Sequence, residues 1–379
     1  MKLKGHVKAV SQRNRNNRCC AVYSVTNSRG FTPSTDYFSK EIYSKDLSTY
    51  KLVEKGMIAY NPSRINVGSV ALQDKAECVI VSPLYVVFCV DETLLCPEYV
   101  TYFLKSEPGL RQIDFRSIGT VRNNFTFDAL EKMELRVPSV EDQLHVVSII
   151  RRVESVIEST KQKSNQLDEL VKSRFVEMFG EAEKPRKDFP VKALNDVCSS
   201  IVRGPFGSAM KKEFFVPQGA NTYKVYEQKH AIQKRADIGA YYITRDRFET
   251  LKRFECFPGD ILMSCSGTMG EFYQLPPSCE PGVMNQALCK FTLSEAILSD
   301  YFLGFMEQVV DELGAKGSGI KNVSSVKYIK AIRIPLPPLE LQRQFADFVT
   351  QVDKLRFEAQ QQIEKLETLK KSLMQEYFG

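Results

Sequence analysis

The feature that most constrains this chain is that it repeats itself. Val137-Pro138-Ser139-Val140-Glu141-Asp142-Gln143 aligns with Leu336-Pro337-Pro338-Leu339-Glu340-Leu341-Gln342, a separation of 199 residues (336 minus 137). The separation holds without a gap to Met178-Phe179-Gly180 against Tyr377-Phe378-Gly379. Upstream at the same separation, Val121-Arg122-Asn123 pairs with Ile320-Lys321-Asn322, and Tyr102-Phe103-Leu104 with Tyr301-Phe302-Leu303. Further up it becomes 203 (258 minus 55): Lys55-Gly56-Met57-Ile58 meets Pro258-Gly259-Asp260-Ile261, and Phe88 meets Phe291. Such self-similarity predicts one architecture used twice. Residues 1–50 and 190–250 barely resemble each other. The scaffold is repeated and the front of each copy is not, as expected of a protein that reads two different things with one fold.

Each copy ends in a helical period. In the second, the apolar positions are Phe345, Phe348, Val352, Leu355, Ala359, Ile363, Leu366, Leu369, Leu373 and Tyr377. In the first they are Val146, Ile149, Val153, Val156, Thr160, Leu167, Leu170 and Met178. Steps of three and four alternate, the signature of a coiled-coil seam. Pro138 and Pro337 stand just before the helices, and no Pro or Gly interrupts either before Gly180 and Gly379. Each helix runs about 39 residues, or roughly 58 Å. A narrow apolar stripe of that length wants a partner. The expected one is the other copy in the same chain, as an antiparallel pair packed through Val146, Ile149, Val153, Leu167 and Leu170 against Phe345, Phe348, Val352, Leu366 and Leu369. Packing of the two helices on separate partners, or an intermolecular coil, is the other possibility. The stripe weakens at Thr160, Lys163 and Ser164 against Ala359 and Gln362.

The remainder reads as two mixed α/β domains. Cys78–Val81, Tyr85–Phe88, Asp260–Ser264 and Ala287–Phe291 are expected strands, and Pro97–Leu104 a short helix. The organisation expected is a first domain at 1–136, a long helix at 137–180, a polar linker at 181–189, a second domain at 190–335 and a second long helix at 336–379.

Turn-rich basic segments are the candidate nucleic-acid contacts. Arg and Asn make bidentate bonds to guanine and adenine edges. Arg13, Arg15 and Arg18 lie in an Asn-rich stretch; Asn27 and Arg29 follow, then Asn61, Ser63, Arg64 and Asn66. Arg203, Ser208, Lys211 and Lys212 form a second group. Ser266 and Thr268 belong to a turn at Gly267-Thr268-Met269-Gly270 that matches Asn61–Asn66 in the first copy. Arg122 and Asn123 pair with Lys321 and Asn322, which with Lys316 form a glycine-rich basic loop suited to phosphate. Each residue type is also common in solvated turns; the recurrence in both halves favours function.

Net charge is +6, modest and compatible with a phosphate-facing surface. None of the ten cysteines forms a CxxC pair, and His6, His145 and His230 are scattered, so no metal cluster is expected. Reduced thiols, no apolar run near the roughly 20 residues that cross a bilayer and no secretory signal point to the cytoplasm. Asn61-Pro62-Ser63-Arg64 is only a partial match to the Asn-Pro-Pro-aromatic motif of adenine methyltransferases, and Gly314–Gly319 lacks a P-loop ending. No HExxH or GxSxG occurs, so no catalytic site is expected in this chain.

Pro338-Leu339-Glu340-Leu341-Gln342 and Pro258–Ile261 resemble conserved regions of the specificity subunits of Type I restriction-modification enzymes. Tyr23–Phe31, Asn61–Gly68 and Gly204-Pro205-Phe206-Gly207-Ser208 are similar to segments of that family's target-recognition domains. The resemblance implies an α+β chain of two duplicated target-recognition domains separated by two long antiparallel coiled-coil helices. It implies double-stranded DNA as ligand, each domain reading one half of a bipartite site. Two methyltransferase subunits would dock on the helices and carry the S-adenosylmethionine, this chain holding no cofactor, and restriction or translocase subunits would add cleavage. Two other readings stay open: a coiled-coil scaffold that binds proteins, and a stand-alone DNA methyltransferase.

Overall fold

Short β-branched and aromatic runs between Gly, Pro and Asx turns form strands here. The computed structural model describes residues 1–15, 18–27, 29–34, 46–117, 124–182, 184–186, 188–315 and 326–379. The chain divides into two units, residues 1–163 with 359–379, and residues 164–358.

In the first unit the strands are β1 (Val7–Val10), β2 (Tyr23–Thr26), β3 (Gly30–Pro33), β4 (Lys51–Glu54), β5 (Ile58–Tyr60), β6 (Val70–Leu72), β7 (Cys78–Val81) and β8 (Val86–Val90). Four form an antiparallel sheet in the order β1-β8-β5-β6, while β2 pairs with β3 and β4 with β7. Val10 faces Val87, and Tyr60 faces both Val86 and Val70. The end of β1, the start of β8, the end of β5 and the start of β6 therefore lie at one end of the sheet. Three helices follow: α1 (Pro97–Lys105), α2 (Glu107–Arg116) and α3 (Phe127–Glu131). Tyr99, Val100, Phe103, Ile113 and Leu130 close over Ile58, Tyr60 and Phe88 in one core. The long helix α4 (Val140–Phe179) comes next.

The second unit repeats the plan. Its strands are β9 (Val191–Ala193), β10 (Cys198–Arg203), β11 (Thr222–Tyr226), β12 (Tyr242–Thr244), β13 (Glu255–Cys256), β14 (Ile261–Ser264), β15 (Phe272–Gln274), β16 (Gly282–Met284), β17 (Leu288–Leu293) and β18 (Arg333–Pro335). Its helices are α5 (Leu194–Val197), α6 (Gln228–Gln233), α7 (Arg245–Thr250), α8 (Ser299–Ala315), α9 (Val326–Ala331) and the long α10 (Leu339–Phe378). The sheet β10-β17-β14-β15 reproduces β1-β8-β5-β6 strand for strand. Arg203 faces Cys289, Ser264 faces Leu288 and Met263 faces Phe272, so the same four strand ends meet at one end. A second sheet has the order β12-β11-β16-β13; its β13–β16 pair, Glu255 facing Val283, repeats the β4–β7 pair, Leu52 facing Ile80, 203 residues on (255 minus 52), while β11 and β12 fall in the segment whose sequence is not repeated.

Both long helices are unbroken over 40 residues, about 60 Å at about 1.5 Å per residue. Ser139 caps α4 by accepting the Asp142 N–H at 3.1 Å. Gly180, at φ 86°, ends it; a Cβ there would lie 2.8 Å from the Lys184 carbonyl oxygen. Each unit holds a part of both helices, running antiparallel. In the first, Glu154 pairs with Lys370 at 2.6 Å and Lys161 with Glu367 at 3.4 Å. In the second, Asp168 pairs with Arg356 at 2.6 Å, and the Phe175 and Phe345 rings meet edge-on at 5.4 Å. The units part between Lys163 and Ser164 and between Glu358 and Ala359, where the apolar stripe is weakest. Val146, Phe345 and Val352 are buried, and Ile149, Val153, Leu167, Phe348 and Leu366 half-buried. Leu170 and Leu369 instead stand 48% and 47% exposed. The seam near the ends runs through Phe175, Met178, Met374 and Phe378, because each helix end packs against a domain as well as a helix.

One sequence pairing is corrected. The mate of Tyr301 is Tyr99, 202 residues away (301 minus 99), and not Tyr102. The Tyr99 hydroxyl donates to the Arg136 carbonyl at 3.2 Å and the Tyr301 hydroxyl to the Pro335 carbonyl at 2.6 Å, each just before a long helix. Their rings meet Phe378 at 4.8 Å and Phe179 at 4.7 Å. Tyr99 and Tyr102 are three apart on one helix and share a face, so spacing alone did not separate them. Tyr102 donates to Glu154 on α4 at 2.7 Å.

Candidate nucleic-acid interface

The non-repeated segments emerge where the four equivalent strand ends meet. In the first unit, β1 runs into Ser11–Arg15, and the β5–β6 connection carries Asn61–Ser69. The Asn61 carboxamide oxygen accepts the Ser63 N–H at 3.0 Å, an Asx turn that leaves Ser63 and Arg64 exposed. Asn66 is half-buried. Gly68, at φ 90°, brings the backbone against Asn27: a Cβ there would sit 3.5 Å from the Asn27 Cβ. Asn27 and Arg29 are exposed at the β2–β3 turn, which the Ser69 hydroxyl ties down by donating to the Val25 carbonyl at 2.6 Å. The fold thus gathers Asn27, Arg29, Asn61, Ser63, Arg64 and Asn66 into one surface.

The Arg13 group is split. Arg13 bridges to Lys51 at the start of β4, whereas Arg18 pairs with Glu54 at its end, at 3.1 Å. Arg15 is exposed. Asn14 is fully buried; its carboxamide donates to the Cys19 carbonyl at 2.7 Å and accepts the Cys19 N–H at 3.1 Å, so it shapes the loop. Lys51 was not singled out from sequence, because a lysine opening a strand carries no signal. Its ammonium donates to the Tyr85 carbonyl at 2.6 Å. Burial first, and then the Arg13 charge, pull it below the usual lysine range. Two crowded cations of this kind favour a polyanion.

In the second unit, β10 runs into Gly204–Met210 and the β14–β15 connection carries Cys265–Glu271. Ser208, Lys211 and Lys212 are exposed, Lys211 lying 3.6 Å from Glu213. Ser266 and Thr268 are exposed at the turn. The Ser264 hydroxyl fixes that turn by donating to the Thr268 carbonyl at 2.7 Å. Arg203 is half-buried: its Nη2 donates to the Cys265 carbonyl at 3.4 Å, and burial pulls it below the usual arginine range. It therefore joins the two connections from beneath. Arg122, Asn123, Lys316, Lys321 and Asn322 lie outside the described residues.

The Pro258–Ile261 run is structural. The buried Asp260 carboxylate accepts the Phe257 N–H at 2.8 Å and lies 3.1 Å from the Lys290 ammonium. Likewise Gln143 and Gln342, of the repeated Pro-rich motif, are fully buried clamps. Gln143 Oε1 accepts the Cys96 N–H and Gln342 Oε1 the Leu298 N–H, both at 2.8 Å. Their amide nitrogens donate to the carbonyls of Leu94 and Pro138, and of Ala296 and Pro337.

The model of the Type I restriction modification DNA specificity domain matches twice, at residues 14–169 and 186–368. The chain belongs to that family. A chain of Methanocaldococcus jannaschii provisionally assigned as the MjaX type I restriction enzyme specificity subunit is 20% identical over 349 residues, 89% of this chain and 80% of that one. The MjaVIII specificity subunit of the same organism is 32% identical over 100 residues, covering 26% of this chain and 23% of that one. Among solved structures, a chain from a study of complex assembly and conformational transition of the type I restriction-modification system matches with a TM-score of 0.65 at 17% identity, covering 100% of this chain and 96% of that one. The specificity subunit from M. genitalium matches with a TM-score of 0.53 at 13% identity, covering 98% and 93%. At these identities the likeness to solved structures is one of fold. No helix among the described residues is long and apolar enough to cross a membrane.

Proposed function

We propose that residues 1–136 and 190–335 each read one half of a bipartite duplex site, through the loops at the β1/β5/β6/β8 end and the β10/β14/β15/β17 end. The two long helices set the unread spacer and carry two methyltransferase subunits, which hold S-adenosylmethionine and transfer the methyl group; restriction subunits join the same assembly. This chain contributes recognition and no catalytic group, and works in the cytoplasm with its ten free thiols. Residues 181–189 are the linker.

The observation that carries this reading is a division of labour within one fold. Repeated residues, Gln143 with Gln342 and Tyr99 with Tyr301, bind domain to helix. Non-repeated residues occupy the same end of the same sheet in each copy. Exposed Arg13, Arg15, Arg29 and Arg64, with Asn27 and Asn61, supply donors for phosphates and base edges, as do Ser208, Lys211, Lys212, Ser266 and Thr268 in the other copy. The half-buried Arg203 supports that surface.

The test is domain exchange. The complex of this chain with its methyltransferase is expressed, and methylated sites are mapped before and after residues 1–136 are replaced by the matching domain of a relative. One half of the methylated sequence changes and the other stays. A change in both halves, or in neither, would refute the reading.

A further inference from the structure

Three connections meet at the strand end of the second unit, and one of them belongs to the segment that is not repeated. Tyr226 ends β11, and its carbonyl accepts the Asn285 N–H at 2.9 Å. The Cys265 N–H donates to the Ala287 carbonyl at 2.7 Å. The exit of β11 is thus bonded through the β16–β17 turn to the β14–β15 turn, where Ser266 and Thr268 stand exposed. Gln228 opens α6 at that exit and is half-buried. A Cβ on Gly267, at φ 62°, would lie 3.1 Å from Gln228 Nε2, so the glycine makes room for the carboxamide. Among the described residues that carboxamide has no hydrogen-bond partner. Folding alone does not explain a polar group restrained by packing and left without a partner.

We infer that Gln228 is a specificity-determining residue of the second domain and reads an adenine in the major groove of that domain's half-site. The inference rests on the proposed reading of this end of the sheet. Gln228 lies outside the segments that resemble the family's target-recognition domains, and within the residues 190–250 that the first copy does not share. The chemistry selects the base. A carboxamide carries a donor and an acceptor side by side. Adenine presents the complementary pair, an N7 acceptor and an N6 donor; guanine presents two acceptors, cytosine a donor, thymine an acceptor and a methyl group. A phosphate offers acceptors only and would leave the amide oxygen unmatched. A cation suited to phosphate stands to one side. Glu255 faces Val283 and Cys256 faces Gly282, so β13 enters from this same end. Arg253, two residues before it, is exposed and has no ion pair among the described residues. β13 lies two strands from β11, about 10 Å at about 4.8 Å per strand, within the roughly 12 Å width of the major groove. Gln286, on the β16–β17 turn, is exposed and would lose more side-chain freedom on contact than the packed Gln228.

The test uses the complex of this chain with its methyltransferase. Methylated sites are mapped for wild type, Q228A and Q228E. Q228A is expected to relax one adenine position of the second half-site, other than the methylated base, and to leave the first half-site unchanged. Q228E is expected to move the preference at that position toward cytosine, whose N4 amino group donates to a carboxylate. In binding competition, 7-deazaadenine at that position, which lacks only the N7 acceptor, weakens wild type about fivefold, the worth of one hydrogen bond, and leaves Q228A unaffected. An unchanged motif in both variants, or no response of wild type to that analogue, overturns the inference. Relaxation by Q286A and not by Q228A also overturns it, as does loss of complex assembly in both Gln228 variants, which would make the side chain a structural contact. A Lys211→Ala, Lys212→Ala double variant separates the two levels. If it weakens duplex binding while Q228A does nothing, this surface still meets DNA and only the role of Gln228 fails; if neither has an effect, the reading of this sheet end falls with it.

Discussion

Asp260, just before β14, and Lys290 on β17 form an ion pair 3.1 Å apart, with both side chains sealed from water. Lys290 also donates to the Glu255 carbonyl at 2.5 Å, and Thr292 donates to Asp260 at 2.5 Å. At the matching positions, 203 residues earlier, the first copy has Met57 and Val87. Removing one partner strands a buried charge, so D260N or K290M should cost about 3–5 kcal/mol, whereas an apolar replacement of both is often neutral. The double variant D260M/K290V should recover more than half of the loss in urea denaturation. Additive losses would show that the pair is not the determining interaction.

The glutamine clamps give a second expectation. Gln143→Ala or Gln342→Ala takes a partner from a buried N–H and two carbonyls, a loss of about 3 kcal/mol or more at about 1–3 kcal/mol for each group. Gln→Glu should be nearly as damaging, because a carboxylate cannot donate to the two carbonyls. Amide exchange at Cys96 in the first case, and at Leu298 in the second, reports the opening directly.

The reciprocal packing of Phe179 on Tyr301 and of Phe378 on Tyr99 predicts a crossed response. F179A should loosen the second unit and F378A the first, each by about 3–5 kcal/mol. Exchange mass spectrometry by segment would detect it; loosening of the first unit in F179A, or of the second in F378A, would contradict it.

His230 sets a pH dependence. It is fully buried, takes the Glu227 N–H on Nδ1 at 2.8 Å and meets the Ile238 carbonyl through Nε2 at 2.8 Å. Burial lowers its pKa below the ordinary 6.5. The unfolded chain therefore binds its proton more readily than the folded one. This contribution to stability is complete above the unfolded value and falls as pH drops below it. The second unit should lose stability between pH 7 and 5, and His230→Gln should flatten that slope while lowering the plateau.

Electrostatics of the first unit can be read from salt. If Arg13 and Arg64 each meet a phosphate, R13A/R64A reduces the slope of log K against log salt by about 1.8, at about 0.9 per contact. An unchanged slope would show that neither meets a phosphate.

Much of this fold was legible from residues alone. The 199-residue repeat, the long helices and the strands at Cys78–Val81 and Asp260–Ser264 follow from periodicity and turn chemistry, which are local. Lys51 and Arg203 were harder, because their contacts depend on which loops share a sheet end, and that is set by strand register far away in sequence. Arg18 shows the converse: its neighbours placed it with Arg13, and a Glu on β4 drew it aside. The tyrosine pairing slipped by three residues because one helix turn offers two rings on one face.

The exchange of helix ends also bears on how the chain is made. Tyr99 leaves the ribosome 279 residues before Phe378 (378 minus 99). At about 5–20 residues per second, the earlier domain spends on the order of 14–56 s with the docking place for Met374 and Phe378 uncovered. A transcript stopping a few codons short of Phe378 would therefore harm the part of the protein synthesised first and leave the later-made domain nearly intact.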